Sequence, residues 1–290
     1  MKAEEEIREI EEVKDHERNI AAFFDLDGTL MAPPSLERRF FRILRYRREI
    51  HTKSYFLWLT EALRLVPSGI GAILQANKMY LRGVHILDER GERDGGVSSW
   101  HKDGHQAEGQ ASALPSKGTR RNPRLPVPAF FGQAIERVAW HAKRGHEIVL
   151  LSGTLEPLAR RAARAMEDEL VACGITAKIH VCATRLEGTD HSWTGQVLGE
   201  AMFGEAKARA AKWLAREMQL DLRRCYAYGD SLNDRWLLAA VGKPAAVNPS
   251  KDLERFAWTT GWPVLNWDGR ESNAETRRAR SAARMPHGTV

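Results

Sequence analysis

Short apolar runs alternate with helical patterns along residues 128–247, and this alternation limits the folds open to the chain. Strands are expected at 20–24, 147–151, 178–183, 225–228 and 245–247. Strands that are separated by helices pair side by side in one parallel sheet with helices on both faces. The sequence therefore predicts an α/β protein with a Rossmann-like, doubly wound parallel sheet.

The predicted domains follow from where these patterns begin and end. They are a charged N-terminal arm (1–18), a core in two pieces (19–32 and 127–268), a helical cap (33–87), a mobile insert (88–126) and a disordered basic tail (269–290). The cap interrupts the core after the first strand, with helices expected near 35–50, 53–66 and 69–82. The insert has almost no large apolar residues, so it cannot bury enough surface to offset its ordering entropy.

The length of 290 residues allows one α/β core and a smaller second domain. No apolar run approaches the ~20 residues that a membrane-spanning helix needs. The N-terminus carries Glu4, Glu5 and Glu6 in place of an apolar stretch, so a signal peptide is not expected and a cytoplasmic location is predicted. The formal net charge of +6 is compatible with an anionic partner but does not identify it.

The first cap helix pattern is strongly basic. Arg38, Arg42 and Arg45 recur at helical spacing beside Phe40. The favoured interpretation is that these arginines form the solvated face of an amphipathic cap helix. The alternatives are that they contact nucleic acid or a membrane surface. No nucleic-acid partner is expected, a peripheral membrane contact through the cap is left open, and the sequence does not fix the oligomeric state.

Polar motifs follow the predicted strands at the sheet edge where sites of open parallel sheets form. They are Asp25-Leu26-Asp27-Gly28-Thr29, Ser152-Gly153-Thr154, Lys207 after the third strand, and Gly229-Asp230-Ser231-Leu232-Asn233-Asp234. The carboxyl ends of parallel strands lie at one edge, so these motifs are expected to form a single site.

The residue types in these motifs suit phosphoryl transfer. The Asp25 carboxylate can attack phosphorus and form an aspartyl-phosphate. In a continuing strand Asp27 would face the same side, where it can act as general acid and then as base. Asp25 and Asp230 form a natural carboxylate pair for Mg²⁺, which prefers oxygen ligands.

The remaining motif residues fit the binding of a phosphate group. Ser152, Gly153 and the N–H groups that follow them are expected where a helix begins, which favours a bound phosphate. Lys207 adds a positive charge that holds the phosphate and the nucleophile. Asn233 and Asp234 are expected in supporting positions, and the dipole of the first helical turn also favours Asp234 there.

In order and spacing, these motifs resemble the four motifs of the haloacid dehalogenase superfamily. Val247-Asn248-Pro249 matches a segment that often follows in subfamily IB, the phosphoserine-phosphatase-like branch. The resemblance implies that Asp25, Asp230 and the backbone carbonyl of Asp27 bind Mg²⁺. It also implies that residues 31–127 form a cap over the site.

The sequence thus predicts a magnesium-dependent phosphatase that hydrolyses a small phosphorylated metabolite, with a phosphoserine-like compound and a lipid phosphate both open. Relatives that act on phosphoserine tend to use a cap glutamate and a Gly-Gly after the motif-two serine. Here Thr154 follows Gly153, and the glutamate position falls within 34–37. The alternatives are a dehalogenase or phosphotransferase of the same fold, and a non-catalytic phosphoacceptor module. Asp27 and Asp230 favour the phosphatase.

Overall fold

The computed structural model describes residues 19–68, 77–85, 128–189 and 191–268. Its strands are β1 (Ala21–Phe24), β2 (Glu147–Leu155), β3 (Ile179–Thr184), β4 (Leu186–Thr189), β5 (Ser192–Val197), β6 (Tyr226–Gly229), β7 (Lys243–Val247) and β8 (Val264–Leu265). Six of them form one sheet in the order β3–β2–β1–β6–β7–β8, and every neighbouring pair is parallel. Strands β4 and β5 form a separate antiparallel hairpin.

Helices connect these strands. They are α1 (Leu36–Arg47), α2 (Thr52–Leu65), α3 (Gly132–Lys143), α4 (Glu156–Ala172), α5 (Glu205–Glu217), α6 (Arg235–Ala239) and α7 (Lys251–Thr260). Short 3-10 turns lie at Val66–Ser68, Met79–Leu81 and Leu232–Asp234. None of the helices in the described ranges has the length and apolarity that a bilayer crossing requires.

Strand β1 divides the apolar core between the two faces of the sheet. Phe24 is buried in the cluster that includes Val138 of α3 and Leu158 of α4. Phe23 points to the other face, in the cluster that includes Leu214 of α5 and Leu237 of α6. Since successive strand side chains alternate between faces, each aromatic ring is buried on its own side of the sheet. The predicted α/β class with a doubly wound parallel sheet is confirmed.

The helical segment that follows β1 packs against the hairpin. Phe40 of α1 and Trp193 of β5 meet edge to face, with ring centroids 6.3 Å apart. The Gly83 N–H donates to the Trp193 carbonyl at 2.9 Å, and the Trp193 N–H donates to the Val84 carbonyl at 3.0 Å. The segment is therefore fixed to the core both by apolar packing and by backbone hydrogen bonds.

Two local expectations at the strand ends were wrong. Strand β1 ends at Phe24, so Asp25 and Asp27 lie in the turn that follows it and not in a continuing strand. Strand β2 runs on to Leu155 through a register shift after Ser152, so Ser152 belongs to the strand, and α4 begins only at Glu156. Tertiary pairing with β3 extends β2 beyond its apolar run.

Helix α7 and strand β8 were not anticipated. Helix α7 carries recognisable end signals, because the Ser250 side chain accepts from the Leu253 N–H at 3.4 Å and Gly261 follows in the left-handed conformation. Strand β8 has two residues and, within the part of the chain that the structure describes, pairs only with β7. A strand that short carries no periodic signal in the sequence.

Several predicted segments lie outside the described residues. They are the N-terminal arm (1–18), the insert (88–126), the basic tail (269–290) and most of the helix expected near 69–82. The described part of that helix is the 3-10 turn Met79–Leu81.

Candidate active site

All eight site residues predicted from the sequence line one cavity of about 730 Å³. They are Asp25, Asp27, Ser152, Gly153, Lys207, Asp230, Asn233 and Asp234. Strands β1, β2 and β6 bring their carboxyl ends to this cavity, and α5 supplies the lysine. Residues of the α1–α2 segment and the turn after it complete the wall: Glu37, Arg38, Phe41, Tyr55, Trp58, Lys78 and Tyr80.

A tight turn after β1 fixes the first motif. The N–H groups of Leu30 and Met31 both donate to the Leu26 carbonyl at 3.0 Å. Gly28 has a φ of +94°, and a Cβ there would lie 2.2 Å from Oδ2 of Asp230. The position thus needs glycine for its backbone conformation and for the close approach of the fourth motif.

Asn248, which follows β7, ties this turn to the far side of the sheet. Its Nδ2 donates to the Gly28 carbonyl at 3.2 Å, while its Oδ1 accepts from the Trp267 N–H at 2.7 Å. Its φ of +44° is in the left-handed region that asparagine tolerates. The sequence identified Asn248 only as part of the Val247-Asn248-Pro249 segment that resembles subfamily IB. Its hydrogen bond to Gly28 shows that it positions the turn after β1.

Lys207 joins the first and fourth motifs. Its Nζ donates to Oδ1 of Asp25 at 2.5 Å and to Oδ1 of Asp234 at 2.6 Å, and all three groups are buried. Burial alone would lower the lysine pKa, but the two carboxylates raise it above its ordinary value. The ammonium group therefore stays charged next to Asp25.

Both carboxylate oxygens of Asp234 accept hydrogen bonds in this arrangement. Its second oxygen, Oδ2, accepts from the Ser231 N–H at 3.0 Å and from the Ser231 hydroxyl at 2.7 Å. It lies on the 3-10 turn Leu232–Asp234, which also carries Asn233. Its role is to orient Lys207 and the loop of Asp230.

Asp27 contacts the beginning of helix α1. Its Oδ1 accepts from the Leu36 N–H at 2.7 Å. Burial raises the pKa of Asp27 to about 6, while the Leu36 N–H acts in the opposite direction. A carboxyl group with such a pKa can give and take a proton near neutral pH, as a general acid and base must.

Three carboxylates are close enough to hold a cation together. Asp25, Asp230 and Asp234 each offer an oxygen, and these atoms lie within 4.8 Å of one another. Burial raises the pKa of Asp25 to about 7 and that of Asp230 to about 8, and their mutual repulsion adds to the rise for Asp230. Both oxygens of Asp234 already accept hydrogen bonds from Lys207 and Ser231. The carboxylates of Asp25 and Asp230 are therefore the ones left to bind a hard divalent cation. The donor set fits Mg²⁺.

The end of β2 forms the opposite wall. The Thr154 N–H donates to Oγ of Ser152 at 3.2 Å, so the Ser152 hydroxyl proton is left for a ligand in the cavity. The Thr184 hydroxyl donates to the Gly153 carbonyl at 2.8 Å and fixes this peptide. All three residues of the second motif line the cavity.

A second polar cluster lies on the cap side of the cavity. Oε1 of Glu37 accepts from Nζ of Lys78 at 2.5 Å and from the Tyr80 hydroxyl at 2.5 Å. Burial, and then the negative charge of Glu37, raise the pKa of Tyr80, so its hydroxyl stays protonated. The sequence placed Glu37 within a window for a cap glutamate but gave no signal for Lys78 or Tyr80, since each stands in no motif.

Comparison with known proteins identifies the family of the chain. Residues 22–239 match the family described as haloacid dehalogenase-like hydrolase, a range that includes all eight predicted site residues. A crystal structure of a protein with unknown function from Bordetella pertussis Tohama I shares the fold, with a TM-score of 0.56 at 23% identity over 86% of this chain and 98% of that chain.

Two relatives from Mycobacterium tuberculosis carry phosphatase names. A probable phosphatase is 36% identical over 159 residues, which cover 55% of this chain and 52% of that protein. A phosphoserine phosphatase is 27% identical over 267 residues, covering 91% of this chain and 73% of that protein. The chain thus spans about half the length of the first of these relatives.

Proposed function

The chain belongs to the haloacid dehalogenase-like hydrolases, and from this we propose that it is a magnesium-dependent phosphatase that forms an aspartyl-phosphate on Asp25. One observation carries the proposal: Lys207 contacts Asp25 at 2.5 Å inside a cavity that Asp27 and Asp230 also line. A buried nucleophile, a fixed cation beside it and a second carboxyl group are what phosphomonoester hydrolysis requires.

The first half-reaction uses both aspartates of the first motif. A carboxylate oxygen of Asp25 attacks phosphorus, and the bond from phosphorus to the ester oxygen breaks. Asp27 donates its proton to the departing oxygen, so the leaving group departs as a neutral alcohol. Lys207 opposes the rise that burial causes in the pKa of Asp25 and orients its carboxylate. The Ser152 hydroxyl donates to a phosphoryl oxygen.

The second half-reaction restores the enzyme. Asp27, now ionised, takes a proton from a water molecule whose oxygen attacks the phosphorus of the aspartyl-phosphate. The bond between phosphorus and Asp25 breaks, inorganic phosphate leaves, and Asp27 is again protonated. Asp25, Asp230 and the backbone carbonyl of Asp27 are the groups that would hold Mg²⁺, which when bound neutralises charge on the phosphoryl oxygens.

For the substrate, the cap side of the cavity favours a phosphomonoester with an apolar portion. Phe41, Tyr55 and Trp58 supply aromatic surface there. Glu37 is already neutralised by Lys78, so its carboxylate is a poor partner for the amino group of a phosphoserine-like substrate. The named phosphoserine phosphatase relative supports the amino-acid substrate, and the cap contacts favour an aromatic or lipid phosphate over it.

Helix α2 adds support for a lipid phosphate. Phe56, Leu59 and Leu63 are between 51% and 73% exposed, and Tyr55 links this apolar stripe to the cavity because it is exposed and also lines the cavity wall. Single exposed apolar residues are ordinary, whereas a contiguous stripe favours a binding surface. We propose peripheral contact of this helix with a membrane. The cytoplasmic location expected from the sequence stays a prediction.

The catalytic proposal is tested by turnover of phenyl phosphate with and without Mg²⁺. Release of phosphate should require the metal and should stop with beryllium fluoride, which mimics a phosphoryl group on Asp25. Full activity after exhaustive chelation would remove the metal from the mechanism. A dehalogenase would release halide from a haloacid and no phosphate, and a phosphoacceptor module would retain a single phosphoryl group without turnover.

The substrate proposal is tested by comparing three phosphomonoesters: phosphoserine, phenyl phosphate and lysophosphatidic acid. We expect kcat/KM to be at least about tenfold lower for phosphoserine, because its buried ammonium group would lack a free carboxylate partner. A preference for phosphoserine would contradict the inference drawn from Lys78 and leave the catalytic proposal intact.

A further inference from the structure

Thr154 carries a polar group that the fold does not use. The residue is 3% exposed, and among the described residues its Oγ1 is buried without a hydrogen-bond partner. An unsatisfied buried hydroxyl is costly, and a valine of the same shape would avoid that cost. A hydroxyl kept at such a position points to a partner that arrives from outside the protein.

The place of Thr154 indicates what that partner is. It lines the cavity together with Asp25, Ser152 and Lys207. It stands two residues after Ser152 in β2, and its N–H already donates to the Ser152 hydroxyl oxygen. Ser152 and Thr154, which both carry hydroxyl groups, are thus close neighbours in the lining of the cavity.

Hydrogen bonds made by Thr184 fix the backbone next to Thr154. The Thr184 hydroxyl donates to the Gly153 carbonyl at 2.8 Å and accepts from the Met202 N–H at 3.1 Å. This bridge holds the peptide before Thr154 between β3 and the loop that leads to α5. Thr154 therefore stands at a fixed strand end that lines the cavity.

We propose that Thr154 is a phosphate-binding residue whose hydroxyl donates to a phosphoryl oxygen of the substrate, beside the Ser152 hydroxyl. The proposal rests on the phosphatase function above. A hydroxyl is neutral, so it adds a directed hydrogen bond to an anion without adding charge to a site that already holds Lys207. A hydrogen bond to a charged group is among the stronger ones, worth about a tenfold to hundredfold change in affinity.

The test compares Thr154→Val with Thr154→Ser. The valine variant should bind inorganic phosphate at least about tenfold more weakly by calorimetry, and its kcat/KM for phenyl phosphate should fall by a similar factor. Its melting temperature should stay the same or rise, because an unsatisfied buried hydroxyl has been removed. The serine variant keeps the hydroxyl and should retain phosphate affinity close to that of the wild type.

Thr260→Val is the matched control, since it makes the same chemical change on helix α7, where the hydroxyl donates to the Phe256 carbonyl. It should leave phosphate affinity unchanged. Unaltered phosphate binding in Thr154→Val would overturn the proposal. A serine variant that loses as much phosphate affinity as the valine variant would also overturn it, because the packing of the side chain and not its hydroxyl would then determine the affinity. If the wild type binds phosphate but does not turn over any ester, the catalytic proposal fails while this binding test still stands.

Discussion

At the scale of single residues, Lys207 forms ion pairs with two of the carboxylates that line the cavity. It contacts Asp25 and Asp234 through one nitrogen, and the three groups are shielded from solvent. Burying an unpaired charge would cost several kcal/mol, so each member depends on the other two. Asp234 uses both its oxygens in this network, which leaves Asp25 as the carboxylate that is oriented and open to the cavity.

Asp25→Asn should abolish phosphate release without unfolding the protein. The amide keeps the shape of the side chain and can still accept a hydrogen bond from Lys207, but it is a very poor nucleophile. We expect turnover of phenyl phosphate to fall by about a thousandfold or more, with an unchanged circular dichroism spectrum. A variant that retains a tenth of wild-type turnover would refute the nucleophile assignment.

At the scale of elements, helix α1 contacts the turn that follows β1 and also lines the cavity. Its first N–H, from Leu36, donates to Asp27, and the positive end of the helix favours the ionised form of that carboxylate. In the same first turn of α1, Glu37 and Arg38 line the cavity. A displacement of α1 would therefore change both the contacts of Asp27, the proposed acid-base group, and the wall of the cavity.

Of the three arginines that the sequence grouped on α1, Arg38 lines the cavity and Arg42 does not. Arg38→Glu should raise KM for an anionic substrate about tenfold, because it reverses a charge at the cavity wall, and should leave kcat within a few-fold. Arg42→Glu is the control with the same charge change on the same helix and should have little effect on KM.

Steady-state kinetics of both variants with phenyl phosphate and lysophosphatidic acid measure the difference. Equal effects from the two variants would mean that the general charge of the helix matters and not the position of Arg38.

Helix α2 gives a separate prediction about membranes. Phe56 and Leu63 are 73% and 65% exposed, and Lys53 and Arg64 are exposed on the same helix. Such a combination favours insertion at the surface of an anionic bilayer. The protein should co-sediment with vesicles that contain phosphatidylglycerol, more weakly with neutral vesicles, and the double variant Phe56→Ser/Leu63→Ser should lose about tenfold in affinity.

Trp213→Ser, on α5, removes an exposed aromatic side chain outside the cap and is the control for the vesicle measurement. It should bind vesicles as the wild type does. If the double variant binds vesicles normally but changes the molar mass measured by light scattering, the apolar stripe is an interface between two copies of the chain, and the membrane proposal fails.

At the scale of the whole molecule, a buried polar network joins α3 to the centre of the sheet. Nε2 of His141 lies 2.9 Å from the Tyr228 hydroxyl, and its Nδ1 lies 2.8 Å from Nδ1 of His146. The backbone carbonyl of Tyr228 accepts from the Asp25 N–H at 3.0 Å. The packing of α3 on the sheet is thus connected to the position of Asp25, the proposed nucleophile.

This network makes stability depend on pH. Burial, followed by the neighbouring His146, lowers the pKa of His141 to about 2. Below pH ~6.5 the unfolded chain binds a proton at this residue and the folded chain does not, so the free energy of unfolding falls as the pH falls. Between pH 6.5 and 5.0 this loss should reach about 2 kcal/mol from His141 alone.

Urea unfolding of the wild type and of His141→Asn at pH 6.5 and 5.0, without metal, measures this contribution. The buried carboxyl groups, whose raised pKa values act in the opposite direction, are common to both proteins and cancel in the comparison. We expect a smaller loss of stability in the variant, whereas His191→Asn, at an exposed position near the hairpin turn, should behave as the wild type. Equal losses in all three proteins would exclude His141 as the source.

The sequence alone determined the fold class and predicted which motif residues would come together. Apolar runs between helical patterns specify a parallel sheet, and the motifs at its strand ends are contiguous, so their residues can be named from the order of amino acids alone. Asp25, Asp27 and Asp230 all line the one cavity that these motifs predict. Local patterns also identified α1 and α2, because apolar periodicity and turn residues are properties of neighbouring residues.

Only the tertiary structure decided how these residues are paired. Lys207 and Asp25 are 182 positions apart, and Glu37 and Lys78 are 41 apart, so no local pattern relates them. No local pattern predicts the extension of β2 beyond Ser152 either, because it depends on pairing with β3. The burial of the Thr154 hydroxyl depends on residues that pack around it from other parts of the chain. Side-chain partners and burial depend on distances in space, which residues far apart in the chain acquire only when the sheet and its helices have packed.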